Sequence, residues 1–216
     1  MEKDIIKNAK KYVNMLLSPL NKHYYHSYEH SIDVMQRSVY LAEQEWLSAD
    51  DIEMLALAGL FHDTWFIIKY DKNEPIWAKI AKNYLKSISY PNDRIKKIEQ
   101  IILATDPDYK TPKDIYEKII KDADMDNLWR DDFEKKSNDI KRELETIKKI
   151  KIKDPEWRHS LVELLLEHKY NTESQKKDRN IKKQENLNKM IKELKSEYCK
   201  VSTKKCEDDF KKYIEN

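Results

Sequence analysis

The sequence predicts an all-α protein, a compact helical bundle with a helical extension at the C-terminal end. Three observations predict it. The 216 residues hold a single glycine, Gly59, where a β-rich chain would need several for its hairpin turns. Apolar residues return at three- and four-residue spacing along most of the chain. Three prolines sit where helices open, at Asn73-Glu74-Pro75, Thr111-Pro112 and Asp154-Pro155.

The elements follow in order. Asp4 to Leu17 lays Ile5, Ile6, Ala9, Tyr12, Val13, Leu16 and Leu17 on one helical face, and Pro19 ends that helix. Asn21 to His26 is a polar and aromatic connector. Ser27 to Trp46 is a second helix, with Ile32, Met35, Val39, Ala42 and Trp46 in one stripe and His30, Val34 and Leu41 beside it. Ser48-Ala49-Asp50-Asp51 resembles a capping box. It opens a third helix, through Ile52, Leu55, Ala56, Ala58 and Gly59 to His62, which is the most apolar and therefore the central one. Gly59 there permits close approach of another helix. The break at Thr64-Trp65-Phe66 ends the period.

The three prolines open helices carrying Trp77, Ala81, Tyr84, Leu85 and Ile88; Ile115, Ile119, Ile120 and Ala123; and Trp157, Leu161, Leu164, Leu165 and His168. Asp93 to Thr105 turns Ile95, Ile98, Ile101 and Ile102 inward, and Asp106-Pro107-Asp108 is a turn. Asp131 to Lys153 is a long helix on a seam of Phe133, Ile140, Leu144, Ile147 and Ile150. After Tyr170 the composition shifts: residues 171–216 hold 13 Lys/Arg against 9 Asp/Glu. Leu187, Ile191, Leu194 and Tyr198 keep a helical stripe packing back on the domain, and a weakly held tail follows from about Ser202. The expected organisation is one domain over residues 1–198 and a charged tail over 199–216.

Composition bounds the function. The net charge of +2 gives no general attraction to nucleic acid. Cys199 and Cys206 read as free thiols, in keeping with a reducing cytoplasm. The chain opens on an amphipathic helix rather than a signal peptide, and no apolar run approaches the roughly 18 residues that span a bilayer. The expected location is cytoplasmic. A phosphate-cradling glycine loop and a G-x-S-x-G nucleophile are both absent from the sequence.

Chemistry concentrates in a set of histidines and aspartates. His30, the adjacent pair His62-Asp63, and an aspartate after the apolar run ending at Ala123 lie on different helices. Two imidazoles and two carboxylates make a mixed nitrogen and oxygen site suited to Mn²⁺, Fe²⁺, Co²⁺, Zn²⁺ or Mg²⁺. A water on such an ion has its pKa lowered toward about 7. His62 and Asp63 diverge by about 100° on a helix, so they share an ion only at the helix end. Asp122 and Asp124 point about 200° apart, so one of the two faces the site. No cofactor beyond a divalent metal is expected.

These residues resemble the HD superfamily of metal-dependent phosphohydrolases, whose pattern is H…HD…D on a helical bundle; the matches are His30, His62, Asp63 and Asp124. The chain is also similar to a bacterial subfamily of predicted metal-dependent HD phosphohydrolases, over roughly Leu16 to Leu194. That similarity includes Tyr25-His26, Asn73-Glu74, Ala104-Thr105, Asp122-Ala123-Asp124, Ile140-Lys141-Arg142-Glu143, Arg179-Asn180 and Asn186-Leu187. It implies an HD-type fold and favours Asp124 over Asp122 as fourth ligand. Tyr25-His26 with His30 also resembles the Tyr-His-Asn-x-x-His motif of cyclic-nucleotide phosphodiesterases, which implies His26 as general acid, with Ser27 in place of the asparagine. Glu74 matches a subfamily position and would hold a bound water or a ligand histidine; the first turn of a helix favours an acid there in any case.

Several features depart from these patterns. Asp106-Pro107-Asp108 stands where the subfamily often has a histidine, which leaves one ion, or a second one using Asp108. His62-Asp63-Thr64-Trp65-Phe66 replaces His-Asp-Ile-Gly-Lys. With no Gly-Tyr-Pro element, the cyclic-di-GMP-degrading branch does not fit.

The expected function is a phosphohydrolase or phosphodiesterase acting on a nucleotide or related small phosphorylated compound through metal-bound hydroxide, with His26, Asp63 and Glu74 as catalytic residues. Lys69, Lys72 and Arg130 lie near motif ends as candidate phosphate contacts, with solvated surface the favoured reading for each. The expected partner is the small phosphorylated substrate, with no membrane or specific nucleic acid, and with a homodimer left open. Two alternatives stand beside this: a nucleotide- or effector-binding regulatory module on a slow HD site, and a helical interaction protein whose His30, His62 and Asp63 are satisfied core groups.

Overall fold

The computed structural model describes residues 3–20, 22–64 and 73–199, with side chains through residue 196. Trp65, Phe66, Lys69, Lys72, the side chain of Tyr198, both cysteine side chains and the tail from Lys200 onward lie outside the described residues. The described residues include α-helices and one 3₁₀ turn, and no strand occurs among them. The chain separates into two compact units, residues 1–126 with 170–177, and residues 127–169 with 178–216.

The first unit is built around α3 (Ala49–Phe61), in which every residue from Glu53 to Phe61 is buried. Its start is the expected capping box: the Ser48 hydroxyl accepts from Asp51 N–H, and the Asp51 carboxylate accepts from Ser48 N–H. Around α3 pack α1 (Asp4–Leu17), α2 (Tyr28–Gln44), α4 (Glu74–Ser87), α5 (Asn92–Leu103) and α6 (Ile115–Asp124). Ile6, Ala9, Val13 and Leu17 of α1 and Ile95, Ile98, Ile101 and Ile102 of α5 are buried lines on amphipathic helices. The one glycine lies where α2 crosses α3. A Cβ on Gly59 would stand 2.9 Å from Met35 Cα and 3.0 Å from Met35 N, so only glycine lets these backbones touch.

With that glycine used at the crossing, helix ends fall to other residues. Trp46 takes φ 59° and Ser89 φ 57°. After α2, Trp46 N–H donates to Glu43 O and Leu47 N–H to Ala42 O; after α4, Ser89 N–H donates to Lys86 O and Tyr90 N–H to Leu85 O. Both are Schellman motifs without glycine. This corrects the expectation that Trp46 continues the inward stripe of α2. The helix stops at Gln44, and the left-handed turn sends the Trp46 side chain outward, 93% exposed.

Other boundaries differ for local reasons. The helix expected from Thr111-Pro112 begins at Ile115, because Asp114 caps it by accepting from both Tyr116 and Glu117 N–H. Asn73 and the residue before Asp154 provide no side-chain cap, and Asp154 instead pairs with Lys141.

The second unit holds a 3₁₀ turn ending at Trp129, α7 (Phe133–Lys148), α8 (Asp154–Glu167) and most of α9 (Glu173–Cys199). The expected helix from Asp131 to Lys153 is shorter at both ends. Lys149 is left-handed at φ 53°, so Ile150 leaves the seam and is half exposed. Phe133, Leu161, Val162, Leu165, Leu187, Met190 and Leu194 are buried. Trp129 is fully buried, its ring 4.5 Å from that of His168. Lys183 Nζ stands 5.0 Å from the Trp129 ring and donates to the His168 carbonyl at 2.7 Å.

Candidate metal centre

Three helix ends of the first unit bring the chemistry together. His30 is in the first turn of α2, His62 is the residue after α3 with Asp63 next to it, and Asp124 is the last residue of α6. His62 keeps helical dihedrals, φ −61° and ψ −23°, so the pair meets the other donors only because the cluster sits at the end of α3. His62 Nε2 stands 3.2 Å from His30 Nε2, 3.2 Å from Asp63 Oδ2 and 3.3 Å from Asp124 Oδ1. His30 Nε2 is 3.3 Å from both Asp63 Oδ2 and Asp124 Oδ1. All four donor atoms lie within 4.8 Å of one another.

The His62 ring is oriented from behind. Its Nδ1 lies 2.7 Å from the Gly59 carbonyl, which can only accept, so Nδ1 carries the proton and Nε2 faces the carboxylates. Burial disfavours charge on His62, yet the Asp63 and Asp124 carboxylates outweigh it and raise its pKa well above the ordinary value. Burial likewise opposes ionisation of Asp63 and Asp124, and His62 with His30 overcomes it, holding both carboxyls well below their usual range. His30, His62 and Asp63 of the cluster are buried, and Asp124 is 27% exposed. Separations of 3.2–3.3 Å are those of neighbouring ligands around one ion with bonds of about 2.0–2.2 Å. Two imidazoles and two carboxylates could therefore hold a divalent metal of the hard to borderline class.

Asp122 lies outside the cluster. Its carboxylate accepts from Asn171 N–H at 2.9 Å, Asn171 Nδ2 at 2.8 Å, Thr172 N–H at 2.8 Å and Thr172 Oγ1 at 2.7 Å. Gln175 extends the clamp, donating to Asp126 Oδ1 at 3.0 Å and accepting from Arg37 Nε at 2.8 Å. No sequence pattern marks this pairing, which joins residues about fifty positions apart.

His26 reaches the edge of the cluster, with Nε2 4.0 Å from Asp63 Oδ2 and its side chain 20% exposed. The Tyr25 ring packs on both His26 and His30, with centroids 5.0 and 4.5 Å away. Glu74, first residue of α4, is buried, and its Oε2 has no hydrogen-bond partner among the described residues. Burial, followed by the charges of Asp106, Asp63 and Asp108, pushes its carboxyl up. Asp108 itself is exposed, in a turn where its N–H donates to Asp106 Oδ1 at 2.7 Å. Arg130 lies in the second unit, with both guanidinium arms on Asp132. One basic residue that no sequence pattern marks flanks the cluster: Lys121, one helical turn before Asp124. Its ammonium donates to Ala104 O at 3.0 Å and Asp106 O at 3.3 Å.

Among the described residues, no helix is long and apolar enough to cross a membrane. No curated protein and no solved structure matches the chain at a significant level. One family model does match, that of the HD domain, over residues 27–126. The matched stretch begins at the cap of α2, contains all four residues of the cluster, and ends where the first unit's main segment ends. Over residues 27–126 the chain is similar to the HD domain, which supports placing this part of it in the HD superfamily.

Proposed function

We propose that the protein is a divalent-metal-dependent phosphohydrolase or phosphodiesterase acting on a nucleotide or a related small phosphorylated compound. His30, His62, Asp63 and Asp124 hold the ion. The observation that carries this reading is the 3.2–3.3 Å spacing of five of the six donor-atom pairs, with all four atoms from three helix ends within 4.8 Å of one another. When bound, such an ion supplies a Lewis acid for a phosphoryl oxygen and makes water nucleophilic near neutral pH. The protein's own groups do the rest. Asp63 faces the ligand histidines and His26 alike, so it orients His26 as a proton donor to the leaving oxygen. Glu74, buried and short of a partner, holds a water or a ligand side chain beside the ion. The sequence similarity to the bacterial subfamily of predicted metal-dependent HD phosphohydrolases, and a cytoplasmic location, fit the same reading.

Turnover tests it. Protein loaded separately with Mn²⁺, Fe²⁺, Co²⁺, Zn²⁺ and Mg²⁺ is assayed against nucleoside mono- and triphosphates, cyclic nucleotides and a generic phosphodiester. Metal-dependent hydrolysis, lost in both His62→Ala and Asp63→Ala, is the expected result. No hydrolysis of any substrate with any metal sinks the enzyme reading.

A further inference from the structure

We propose that Lys121 is the cation that receives the substrate's phosphoryl group, an inference that rests on the metal-dependent phosphohydrolase reading above. Lys121 and Asp124 are three residues apart on α6 and so share a helix face. The Lys121 side chain is lodged at the C-terminal end of α5. Its ammonium donates to two main-chain carbonyls, Ala104 O at 3.0 Å and Asp106 O at 3.3 Å. Both acceptors are neutral. They fix the ammonium's position and leave one of its three N–H donors unused, while the carboxylates of Asp124, Asp106 and Glu117 act on its charge and the Tyr109 ring lies 5.8 Å away. Burial lowers the pKa of this amine and the Asp124 carboxylate raises it, which puts the two groups within electrostatic reach.

Charge balance explains the need for such a group. The Asp63 and Asp124 carboxylates neutralise a divalent ion, so the loaded centre has no net charge with which to draw in an anion. Glu74, within range of Asp63, adds negative charge only. Two basic groups of this unit are held by other partners. Arg37 is bonded to Gln175 and Asp126, and Lys97 to Asp114. Lys121 alone combines a position beside Asp124 with neutral partners among the described ion pairs and hydrogen bonds. A compact ammonium with a rotatable spare donor suits a phosphoryl oxygen.

Inorganic phosphate is the probe, titrated by calorimetry into the Mn²⁺-loaded full chain. Lys121→Gln keeps amide donors for the two carbonyls and removes the charge; Lys121→Arg keeps the charge. The expected result is phosphate binding about tenfold weaker in Lys121→Gln and within about threefold of wild type in Lys121→Arg. Metal content should be equal in all three proteins, and the KM of any hydrolysed substrate should rise in the glutamine variant more than kcat falls. Lys121→Met, which keeps the apolar stem, replaces the glutamine variant if that does not fold. Phosphate binding as tight in the uncharged variant as in wild type overturns the inference and leaves Lys121 as an anchor for α5. Wild-type protein that takes up metal but no phosphate overturns it while sparing the metal site. Wild-type protein that takes up no metal overturns both.

Discussion

Asp122 and Asp124, two residues apart at the end of α6, face opposite ways and do different work. Asp124 Oδ1 stands 3.3 Å from the Nε2 atoms of His30 and His62. Asp122 takes hydrogen bonds from the backbone and side chains of Asn171 and Thr172. The first side of the helix serves the cluster, and the second anchors the segment that leads into α9.

Their substitutions should therefore separate. Asp122→Ala strands buried donors and should cost about 3 kcal/mol in urea unfolding, with metal content unchanged. Asp124→Asn should lose metal, because it removes the carboxylate that faces both ligand imidazoles. Metal loss in the Asp122 variant with retention in the Asp124 variant would reverse this assignment.

Gly59 couples packing to the site. His30 lies one turn before Val34 on α2, and His62 one turn after Gly59. In Gly59→Ala the new Cβ meets Met35 Cα, Met35 N and Val34 C within 3.2 Å, all of them backbone atoms that cannot rotate away. The two helices must part, at a cost of about 2–3 kcal/mol. The 3.2 Å spacing of the two Nε2 atoms widens with them, so metal affinity should fall together with the urea midpoint. An alanine variant as stable as wild type would refute the close approach.

The left-handed turn at Trp46 leaves stability unused. A non-glycine residue in that conformation costs about 1–2 kcal/mol, and a side chain 93% exposed returns little by burial. Trp46→Gly should raise stability by about 1 kcal/mol in chemical denaturation; a lower urea midpoint would contradict this.

His168 in the second unit sets a pH dependence. Burial, helped by the Lys183 charge, pushes its pKa down to about 4. The unfolded chain takes up this proton near the ordinary value of about 6.5, before the folded chain does. The contribution is therefore fully present above pH 6.5, declines as the pH falls, and levels off below pH 4. Between pH 7.5 and 5 it amounts to about 2 kcal/mol. Urea unfolding followed by the fluorescence of Trp129, against which His168 packs, should lose that much, and His168→Gln should flatten the dependence. An equal slope in the variant would show that other groups cause it.

What the sequence made legible, and what it did not, divides by the range of the interaction. The Ser48-Asp51 box, the burial of α3 and the role of Gly59 depend on neighbours or on residue size, and all three are visible in a local window. The convergence of His30, His62, Asp63 and Asp124 was suggested by pattern rather than by distance. Trp46 and Ile150 misled because apolar period continues past the point where a left-handed residue turns the chain. Thr111-Pro112 looked like a helix start because proline favours one, but Asp114 offers a carboxylate that takes two N–H donors. The Asp122 clamp and the carbonyl seat of Lys121 are pairings across distant segments, and nothing local encodes them.

The central claim is that four side chains hold one divalent ion. Elemental analysis of wild-type protein and of His62→Ala, purified alike and dialysed against each candidate metal, tests it most directly. One ion per chain is expected in the wild type and none in the variant, with both folded by circular dichroism. A wild-type protein without metal, or a variant that keeps it, would show that these side chains do not hold an ion.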